Sequence, residues 1–283
     1  MKDLSNNVVV HKNNNGFQYL QFKKLLEFSD TLVHAYSLGI DKNYRTSLNI
    51  KNNSPELYSK AIDNYKELCK NINCTYTNLV KPNQSHTNIV KLVKSKINND
   101  KPDFNLDEYN LTDGLITNKS NLLLVTTNAD CILLLFFAPV EKVVANVHSG
   151  WKGTIQRISV ETVKKKKKEY NCKPENIICC ICPSIRKCHF EVEKDVQALF
   201  ENEFKQELQK ANRFNEIIER KTEQKWVIDT VEINKIILQN EGIKANNILD
   251  CGICSVCNCD LIHSYRVEKQ GYGLNTAIIS LKD

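Results

Sequence analysis

The stretch of sequence that decides the fold is LLLVTTNADCILLLFFAPVEKVVANVHSGWKG, at residues 122–153. Within it, residues 132–137 form an apolar run, residues 138–141 predict a turn, and residues 143–147 form a second apolar segment. Short apolar runs that contain β-branched or aromatic residues and are bounded by turn residues favour strands over helices. We therefore expect a buried hairpin in which residues 132–137 pair antiparallel with residues 143–147.

This hairpin predicts a site at one of its ends. Antiparallel pairing brings Cys131 and His148 to the same end, and a thiol beside an imidazole on rigid strands suits a metal site or a nucleophile–base pair. A lone cysteine usually only packs in the core. Here, however, Asp130 precedes the cysteine, and the glycines of HSGWKG at residues 148–153 allow the backbone to approach a ligand closely. We therefore interpret this end of the hairpin as functional.

The composition indicates an ordinary globular protein, with 283 residues, 41% hydrophobic and 25% charged residues and a net charge of +6. No Pro/Gly linker divides the chain. We expect a single α+β domain over residues 1–283, with mixed, mainly antiparallel sheets flanked by helices.

Much of the positive charge lies at residues 164–168, which we expect to face water on a helix over residues 154–170. No aromatic residues or arginine cluster accompany these lysines, so a nucleic-acid partner is not expected.

The chain has neither an apolar leader segment nor an apolar run long enough to span a membrane, so we expect a cytoplasmic protein without a membrane partner. Its 12 cysteines are therefore expected to be reduced thiols or metal ligands. Cys251, Cys254, Cys257 and Cys259 lie close together in the sequence. Their spacing nearly fits an iron–sulfur cluster, although the last gap is one residue rather than three, and zinc bound by two close cysteine pairs is an alternative.

The residues at the hairpin also carry a family resemblance. NADC at residues 128–131 and HSGWKG at residues 148–153 resemble the TADC and HAGWRG signatures of the laccase-domain family. That family was named for multicopper polyphenol oxidase activity, and its members are described as purine nucleoside phosphorylases with adenosine deaminase activity. Gln84 and His86 match the family's Gln-x-His-Gly segment, with Thr87 in place of the glycine. The resemblance extends from about residue 30 to the end of the chain.

The resemblance implies a zinc-dependent enzyme. His86 supplies a third ligand beside Cys131 and His148, and three protein ligands leave the fourth position of a catalytic zinc open. The implied reactions are phosphorolysis of adenosine, inosine and guanosine by inorganic phosphate, with methylthioadenosine as a further candidate, and deamination of adenosine as a side activity. Asp130, Cys131 and His148 are the candidate catalytic residues, with Asp130 as the proton carrier.

The chain departs from the family at basic positions. SLGI at residues 37–40 replaces an Arg-x-Gly-Gly loop, and Val267 and Leu274 occupy two later basic positions. The remaining candidates for phosphate or ribose contacts are Lys152, Arg266 and Arg45, together with the start of the helix after Gly153. Because positioned cations stabilise the charge that develops in phosphorolysis, we expect phosphorolysis to be weakened more than deamination.

Three other functions remain open. The first is a metal-free hydrolase with Cys131 as nucleophile and His148 as base. The second is a catalytically impaired purine-binding protein, which the lost basic residues would explain. The third is a copper-dependent phenol oxidase, because a His₂Cys set can bind copper. A laccase needs several copper centres and more than the 6 histidines of this chain, so copper is a weaker prediction than zinc.

Overall fold

Two β-sheets lie face to face at the centre of the protein, which the computed structural model describes over residues 2–46 and 54–283. Leu124 and Ile279 of one sheet share a buried cluster with Leu133 and Leu135 of the other. Asn146 crosses this interface, because its side-chain amide donates to a backbone carbonyl of each of two strands in the opposite sheet, at 2.9 and 2.8 Å. The apolar runs of the sequence are therefore buried between the two sheets.

The seven-stranded sheet combines the N-terminal strands with the C-terminal strand. In spatial order it contains β1 (Val9–Asn14), β2 (Phe17–Phe22), β3 (Leu32–Ser37), β16 (Asn275–Leu281), β8 (Leu123–Asn128), β4 (Leu79–Lys81) and β6 (Asp103–Phe104). The pairings from β1 to β8 are antiparallel, whereas β4 pairs parallel with both β8 and β6. The short parallel strands make this a mixed sheet.

The six-stranded sheet contains the predicted hairpin. Its spatial order is β15 (Ile248–Asp250), β11 (Ile178–Ile181), β9 (Ile132–Ala138), β10 (Val143–Ser149), β7 (Gly114–Thr117) and β5 (Val90–Leu92). A separate three-stranded sheet has the order β12 (Glu191–Glu193), β14 (Lys225–Ile228) and β13 (Ile218–Arg220). In the hairpin, His148 lies opposite Leu133 and Ser149 opposite Ile132. The prediction that Cys131 and His148 fall at one end of an antiparallel hairpin is confirmed.

Helices flank the sheets. The described residues form α1 (Lys23–Leu26), α2 (Pro55–Asn71), α3 (Trp151–Ile155), α4 (Ile158–Tyr170), α5 (Lys194–Lys210), α6 (Phe214–Ile217), α7 (Thr230–Asn240) and α8 (Tyr265–Glu268). Tyr65 and Leu68 of α2 pack on the seven-stranded sheet. Val163 of α4 and Val231 of α7 pack on the six-stranded sheet. The α+β class with mixed, mainly antiparallel sheets flanked by helices is thus confirmed.

Two predictions about residues 154–170 are wrong: that they form one helix, and that all the lysines at residues 164–168 face water. The chain forms α3 and α4 instead, with a break at Arg157, whose backbone is left-handed at φ +58°. The Arg157 guanidinium binds the carboxylates of Glu203 and Glu207 on α5, which holds the break in place. In addition, Lys166 does not face water: it is fully buried on the sheet side of α4, and its ammonium donates to the Val143 carbonyl at 2.8 Å.

The chain passes from one central sheet to the other within residues 129–131. Strand β8 ends at Asn128 in the seven-stranded sheet, and β9 begins at Ile132 in the six-stranded sheet. The Asn128 side chain fixes this crossing, because it donates to the Pro183 carbonyl at 3.0 Å and accepts from the Tyr36 hydroxyl at 3.1 Å. Asp130 and Cys131 are therefore placed at an edge shared by both sheets.

Within the described residues, the structure contains no helix that is both long enough and apolar enough to span a membrane.

Candidate active site

A cavity of about 890 Å³ opens at the crossing between the sheets. Of the residues predicted from the sequence, it is lined by Arg45, His86, Asp130, Cys131, His148 and Arg266. Lys152 is not among the residues that line it. Lys152 is exposed, and its ammonium lies 5.4 Å from the ring centre of Trp151. The structure therefore brings the three predicted metal ligands to one cavity with two of the three predicted substrate-binding cations.

The three predicted ligands converge. Nε2 of His86 lies 3.9 Å from Sγ of Cys131, and the His86 and His148 ring centres are 4.9 Å apart at an interplanar angle of 82°. One ligand atom from each of the three residues lies within 4.8 Å of the others. Bonds of 2.0–2.3 Å around a tetrahedral zinc ion place its ligand atoms roughly 3.4–3.8 Å apart. The donor set fits zinc with only a small adjustment of the side chains.

Asp113 orients the His148 imidazole and holds the backbone of His86, and sequence analysis assigned it no role. Its buried carboxylate accepts a hydrogen bond of 2.8 Å from Nδ1 of His148, which leaves Nε2 of that ring for a metal. The same carboxylate accepts the backbone N–H groups of Ser85, His86 and Thr87 at 3.1, 3.0 and 2.8 Å. These bonds support the left-handed backbone of His86, at φ +60°.

Gly150 makes room for the ligands. A Cβ atom at this position would lie 2.7 Å from Cδ2 of His86 and 3.1 Å from Sγ of Cys131. Real Cβ atoms essentially never approach another atom to 2.7 Å, so any other residue would push the His86 ring from its position, and the contact with Cys131 would be tight. The glycine of the HSGWKG motif is therefore required by the ligand geometry itself.

The Cys131 thiolate and the His148 imidazolium form an ion pair in the metal-free protein. Burial by itself raises the pKa of the Cys131 thiol, but His148, with a smaller contribution from His86, reverses this and lowers the pKa from 9.0 to about 6. Burial lowers the pKa of His148, but the Cys131 thiolate and the Asp113 carboxylate outweigh it and raise the pKa from 6.5 to about 9. At neutral pH the sulfur is thus a thiolate, the form that binds metals or attacks as a nucleophile.

Asp130 is held rigidly beside Cys131. One oxygen of its carboxylate accepts from the Ser255 hydroxyl at 2.6 Å, and the other accepts from the backbone N–H of Arg266 at 2.7 Å. The backbone of Asp130 is left-handed, at φ +81°. Each carboxylate oxygen keeps a second lone pair, so the group can still accept a proton. Ser255 is a further supporting residue that sequence analysis did not identify.

Two buried cations line the same cavity. The Arg45 guanidinium stacks on the Tyr272 ring, with 4.4 Å from its central carbon to the ring centre, and donates to the Tyr272 carbonyl at 2.8 Å. Lys81 is also buried, and its ammonium lies 3.4 Å from the Asn105 side-chain oxygen. Burial and the neighbouring Arg45 charge lower the pKa of Lys81 to about 8. Among the ion pairs of the described residues, none involves either cation. Sequence analysis did not single out Lys81, because nothing local distinguishes it from surface lysines.

Comparison with known proteins agrees with this geometry. A purine nucleoside phosphorylase of Bacillus subtilis strain 168, YlmD, is 30% identical over 173 residues, which cover 61% of this chain and 59% of that protein. The human purine nucleoside phosphorylase LACC1 is 29% identical over 175 residues, or 60% of this chain and 38% of that protein. The matched region thus spans about half the length of these curated relatives. A purine nucleoside phosphorylase of Staphylococcus aureus is 26% identical over 262 residues, 92% of this chain and 95% of that protein.

Solved structures share the fold. YlmD from Geobacillus stearothermophilus superposes with a TM-score of 0.82 at 20% identity and covers 100% of both chains. The hypothetical protein YfiH from Bacillus licheniformis gives a TM-score of 0.81 at 22% identity, over 96% of this chain and 99% of that chain. A family model also matches residues 32–282, nearly the region over which the sequence motifs resemble the family. The chain therefore belongs to the family described as multi-copper polyphenol oxidoreductase laccase.

Proposed function

We propose that this chain is a zinc-dependent purine nucleoside phosphorylase that also deaminates adenosine. The observation that carries the proposal is the convergence of His86, Cys131 and His148 in the cavity that Arg45 and Lys81 also line. A cavity of about 890 Å³ is within the range that binds small organic ligands, roughly 300–1,000 Å³. The relatives named purine nucleoside phosphorylase support the choice of substrate.

His86, Cys131 and His148 would hold the metal, with Asp113 fixing the ring orientation of His148. The bound zinc would act as a Lewis acid that stabilises developing negative charge. Three protein ligands leave a position open towards the cavity, as in other catalytic zinc sites. Cys131 and His148 are therefore assigned to metal binding in this proposal, and Asp130 is assigned to proton transfer.

Arg45 and Lys81 are proposed to bind inorganic phosphate. Both are buried, both line the cavity, and the low pKa of Lys81 reflects a buried charge beside another cation. An anion placed between them would relieve this repulsion, and guanidinium and ammonium groups are the usual phosphate ligands in proteins. These two residues would thus replace the arginine that the chain lacks at residues 37–40. The expectation that phosphorolysis is weaker than deamination remains a prediction.

The nucleoside is proposed to lie against the aromatic wall of the cavity. Trp151, Phe190, Tyr265 and Tyr272 all line it, and a purine has a flat face suited to stacking on such rings. Arg266 lines the same wall, and its guanidinium donates to the Glu191 carbonyl at 3.2 Å. That bond leaves further N–H donors for a ribose hydroxyl or a phosphate oxygen. Adenosine, inosine and guanosine are the proposed substrates, with methylthioadenosine as a further candidate.

One observation favours a second function, a metal-free cysteine hydrolase. Cys131, His148 and Asp113 are arranged as a nucleophile, a base and the carboxylate that orients the base, and the sulfur is a thiolate at neutral pH. In this alternative, base release would need neither metal nor phosphate. The role of His86, which points to the same sulfur, would then be unexplained.

The test is an assay of the metal-analysed protein with inosine or adenosine, each with and without phosphate. Inosine should yield hypoxanthine and ribose 1-phosphate only when phosphate is present, and adenosine should yield inosine in its absence. Cys131→Ala should lose the metal and both activities with a modest loss of stability, since Cys131 lies at the start of a strand and is partly exposed. Cys74→Ala, another partly exposed cysteine, is the matched control.

Other outcomes distinguish the alternatives. Release of hypoxanthine without phosphate by metal-free protein would establish the hydrolase and contradict the phosphorylase. An absence of turnover in zinc-loaded protein that still binds purines would favour the impaired binding protein.

A further inference from the structure

A second group of sulfur and nitrogen atoms converges outside the proposed active-site ligands. Cys188 and His189 lie just before β12, and Cys254 and Cys257 lie in the segment that follows β15. One ligand atom from each of the four residues lies within 4.8 Å of all the others. Proximity in the sequence does not join the two halves of this group, since Cys188 and Cys254 are 66 positions apart.

The separations within this group match those around a tetrahedral metal ion. Zinc bonds of about 2.3 Å to sulfur and about 2.0–2.1 Å to nitrogen place two sulfurs about 3.8 Å apart and a sulfur and a nitrogen about 3.6 Å apart. Sγ of Cys188 lies 3.6 Å from Sγ of Cys254 and 4.0 Å from Sγ of Cys257. Nδ1 of His189 lies 3.6 Å from Sγ of both Cys254 and Cys257 and 3.1 Å from Sγ of Cys188.

We propose that Cys188, His189, Cys254 and Cys257 bind a second metal ion, of the class of zinc, in a structural Cys₃His site. Four protein ligands fill the tetrahedron, so no position remains for substrate or water. Thiolate and imidazole ligands select zinc over magnesium or calcium. This inference goes beyond the proposed function and does not depend on it.

The four proposed ligands differ from the four closely spaced C-terminal cysteines at residues 251–259. Cys254 and Cys257 belong to both sets, but Cys251 is buried apart from the group and Cys259 is exposed outside it. The two remaining ligands come instead from the turn that precedes β12. The structure therefore does not bring Cys251, Cys254, Cys257 and Cys259 together as the ligands of one cluster.

The position of the site gives the metal a structural role next to the cavity. Ser255, between two of the ligands, donates to the Asp130 carboxylate at 2.6 Å, and its backbone N–H donates to the Ser184 carbonyl at 3.0 Å. Phe190 follows the ligand His189 directly and lines the cavity. A metal joining the two segments would fix both the hydroxyl that holds Asp130 and the aromatic wall beside it.

The first test is metal stoichiometry by elemental analysis of protein purified without chelators under reducing conditions. The native protein should contain two equivalents of zinc per chain. Cys254→Ser and Cys257→Ser should each retain one equivalent, Cys131→Ser should lose the other, and Cys259→Ser, an exposed cysteine outside the group, should retain both. One equivalent in the native protein, lost in Cys131→Ser but kept in Cys257→Ser, would overturn the proposal.

A second test needs no substitution and remains valid if a variant does not fold. In the native protein, Cys188 and Cys257 should resist alkylation until a chelator is added, whereas Cys259 should react at once, although all three are exposed. Peptide mass mapping assigns each modified residue. Equal reactivity of the three thiols in zinc-supplemented protein, or a Cys188–Cys254 disulfide in protein that contains no second metal, would contradict the site.

Cobalt substitution distinguishes the two metal sites by their ligands. Sulfur-to-cobalt charge-transfer absorption grows with the number of thiolates, so the proposed Cys₃His site should contribute more of it than the His₂Cys site. Cobalt-loaded Cys131→Ser should therefore keep most of the near-ultraviolet band of the native protein, and Cys257→Ser should lose most of it. The reverse pattern would contradict the proposal.

Discussion

The carboxylate of Asp113 accepts a hydrogen bond of 2.8 Å from Nδ1 of His148 across 35 positions of sequence, and both side chains are buried. The same carboxylate binds the backbone N–H of His86. A single buried acid therefore orients the imidazole of one proposed metal ligand, His148, and holds the backbone of another, His86. Such supporting carboxylates fix the ring that binds the metal and raise its basicity.

Asp113→Asn should weaken zinc binding at the His86 site by roughly 10–100-fold, the usual cost of removing such a partner. The amide carries no charge, and its NH₂ group cannot accept the hydrogen bonds that the carboxylate oxygen accepts. Competition with a chelator of known affinity measures the change. Asp30→Asn, at an exposed aspartate, is the control and should bind zinc like the native protein. Unchanged affinity in Asp113→Asn would show that the loop positions His86 without this acid.

The thiolate of Cys131 should be visible in its alkylation rate. In metal-free protein, with a pKa lowered to about 6 rather than 9.0, the thiol is roughly 90% ionised at pH 7, against roughly 1% for an ordinary cysteine. The rate at Cys131 should therefore rise through pH 6 and then level off. Peptide mass mapping assigns the modification to Cys131. A rate at Cys131 that rises only near pH 9 would contradict the ion pair with His148.

Removal of either buried cation should impair phosphorolysis specifically. A hydrogen bond to a charged group contributes about 1.5–3 kcal/mol, so Arg45→Ala and Lys81→Ala should each raise the KM for phosphate by roughly 10–100-fold. Deamination of adenosine, which uses no phosphate, should change far less. Lys152→Ala is the control, because Lys152 is exposed and does not line the cavity. A larger effect of Lys152→Ala than of Lys81→Ala on the KM would place the phosphate elsewhere.

Buried Lys166 should make the free energy of unfolding depend on alkaline pH. Burial lowers the pKa of Lys166 from 10.5 to about 8, so between these values the unfolded chain binds more protons and stability rises with pH. The full rise corresponds to about 3 kcal/mol. Lys166→Met should lack this component, and its stability relative to the native protein should fall as the pH rises from 8 to 10.5.

Urea unfolding at several pH values measures the difference, with Lys168→Met, at an exposed lysine of the same helix, as the control. Parallel pH profiles for Lys166→Met and the native protein would mean that Lys166 reaches solvent.

Local sequence signals predicted the parts of the structure that depend on neighbouring residues. The 143–147 strand and its pairing with 132–137 were predicted, because apolar runs and a turn define them locally. The start of α2 also has a local sequence signal, because Pro55 occupies its first position and the Ser54 side chain accepts a capping hydrogen bond from the Leu57 N–H at 3.3 Å. Since Cys131 and His148 lie at the ends of the paired strands, two of the three proposed metal ligands followed from the hairpin.

Features that depend on tertiary packing were not predictable in this way. Lys166 belongs to a run of five lysines, and only the placement of α4 on the sheet decides that it alone is fully buried. Asp113 and Lys81 became important because distant segments meet at the cavity. The grouping of Cys188 and His189 with Cys254 and Cys257 likewise depends on the turn before β12, which the spacing of the C-terminal cysteines could not reveal.

The crossing of the chain between the two central sheets divides the ligands of the proposed zinc ion. His86 follows β4 of the seven-stranded sheet, whereas Cys131 precedes β9 and His148 lies in β10 of the six-stranded sheet. The relative positions of the three proposed ligands therefore depend on how the leucines between the sheets pack. A misplacement of about 1 Å at a reacting centre can lower a rate about 100-fold. The proposed phosphorolysis should thus be sensitive to the alignment of the two sheets, and substitutions deep between them should lower its rate without changing any residue that lines the cavity.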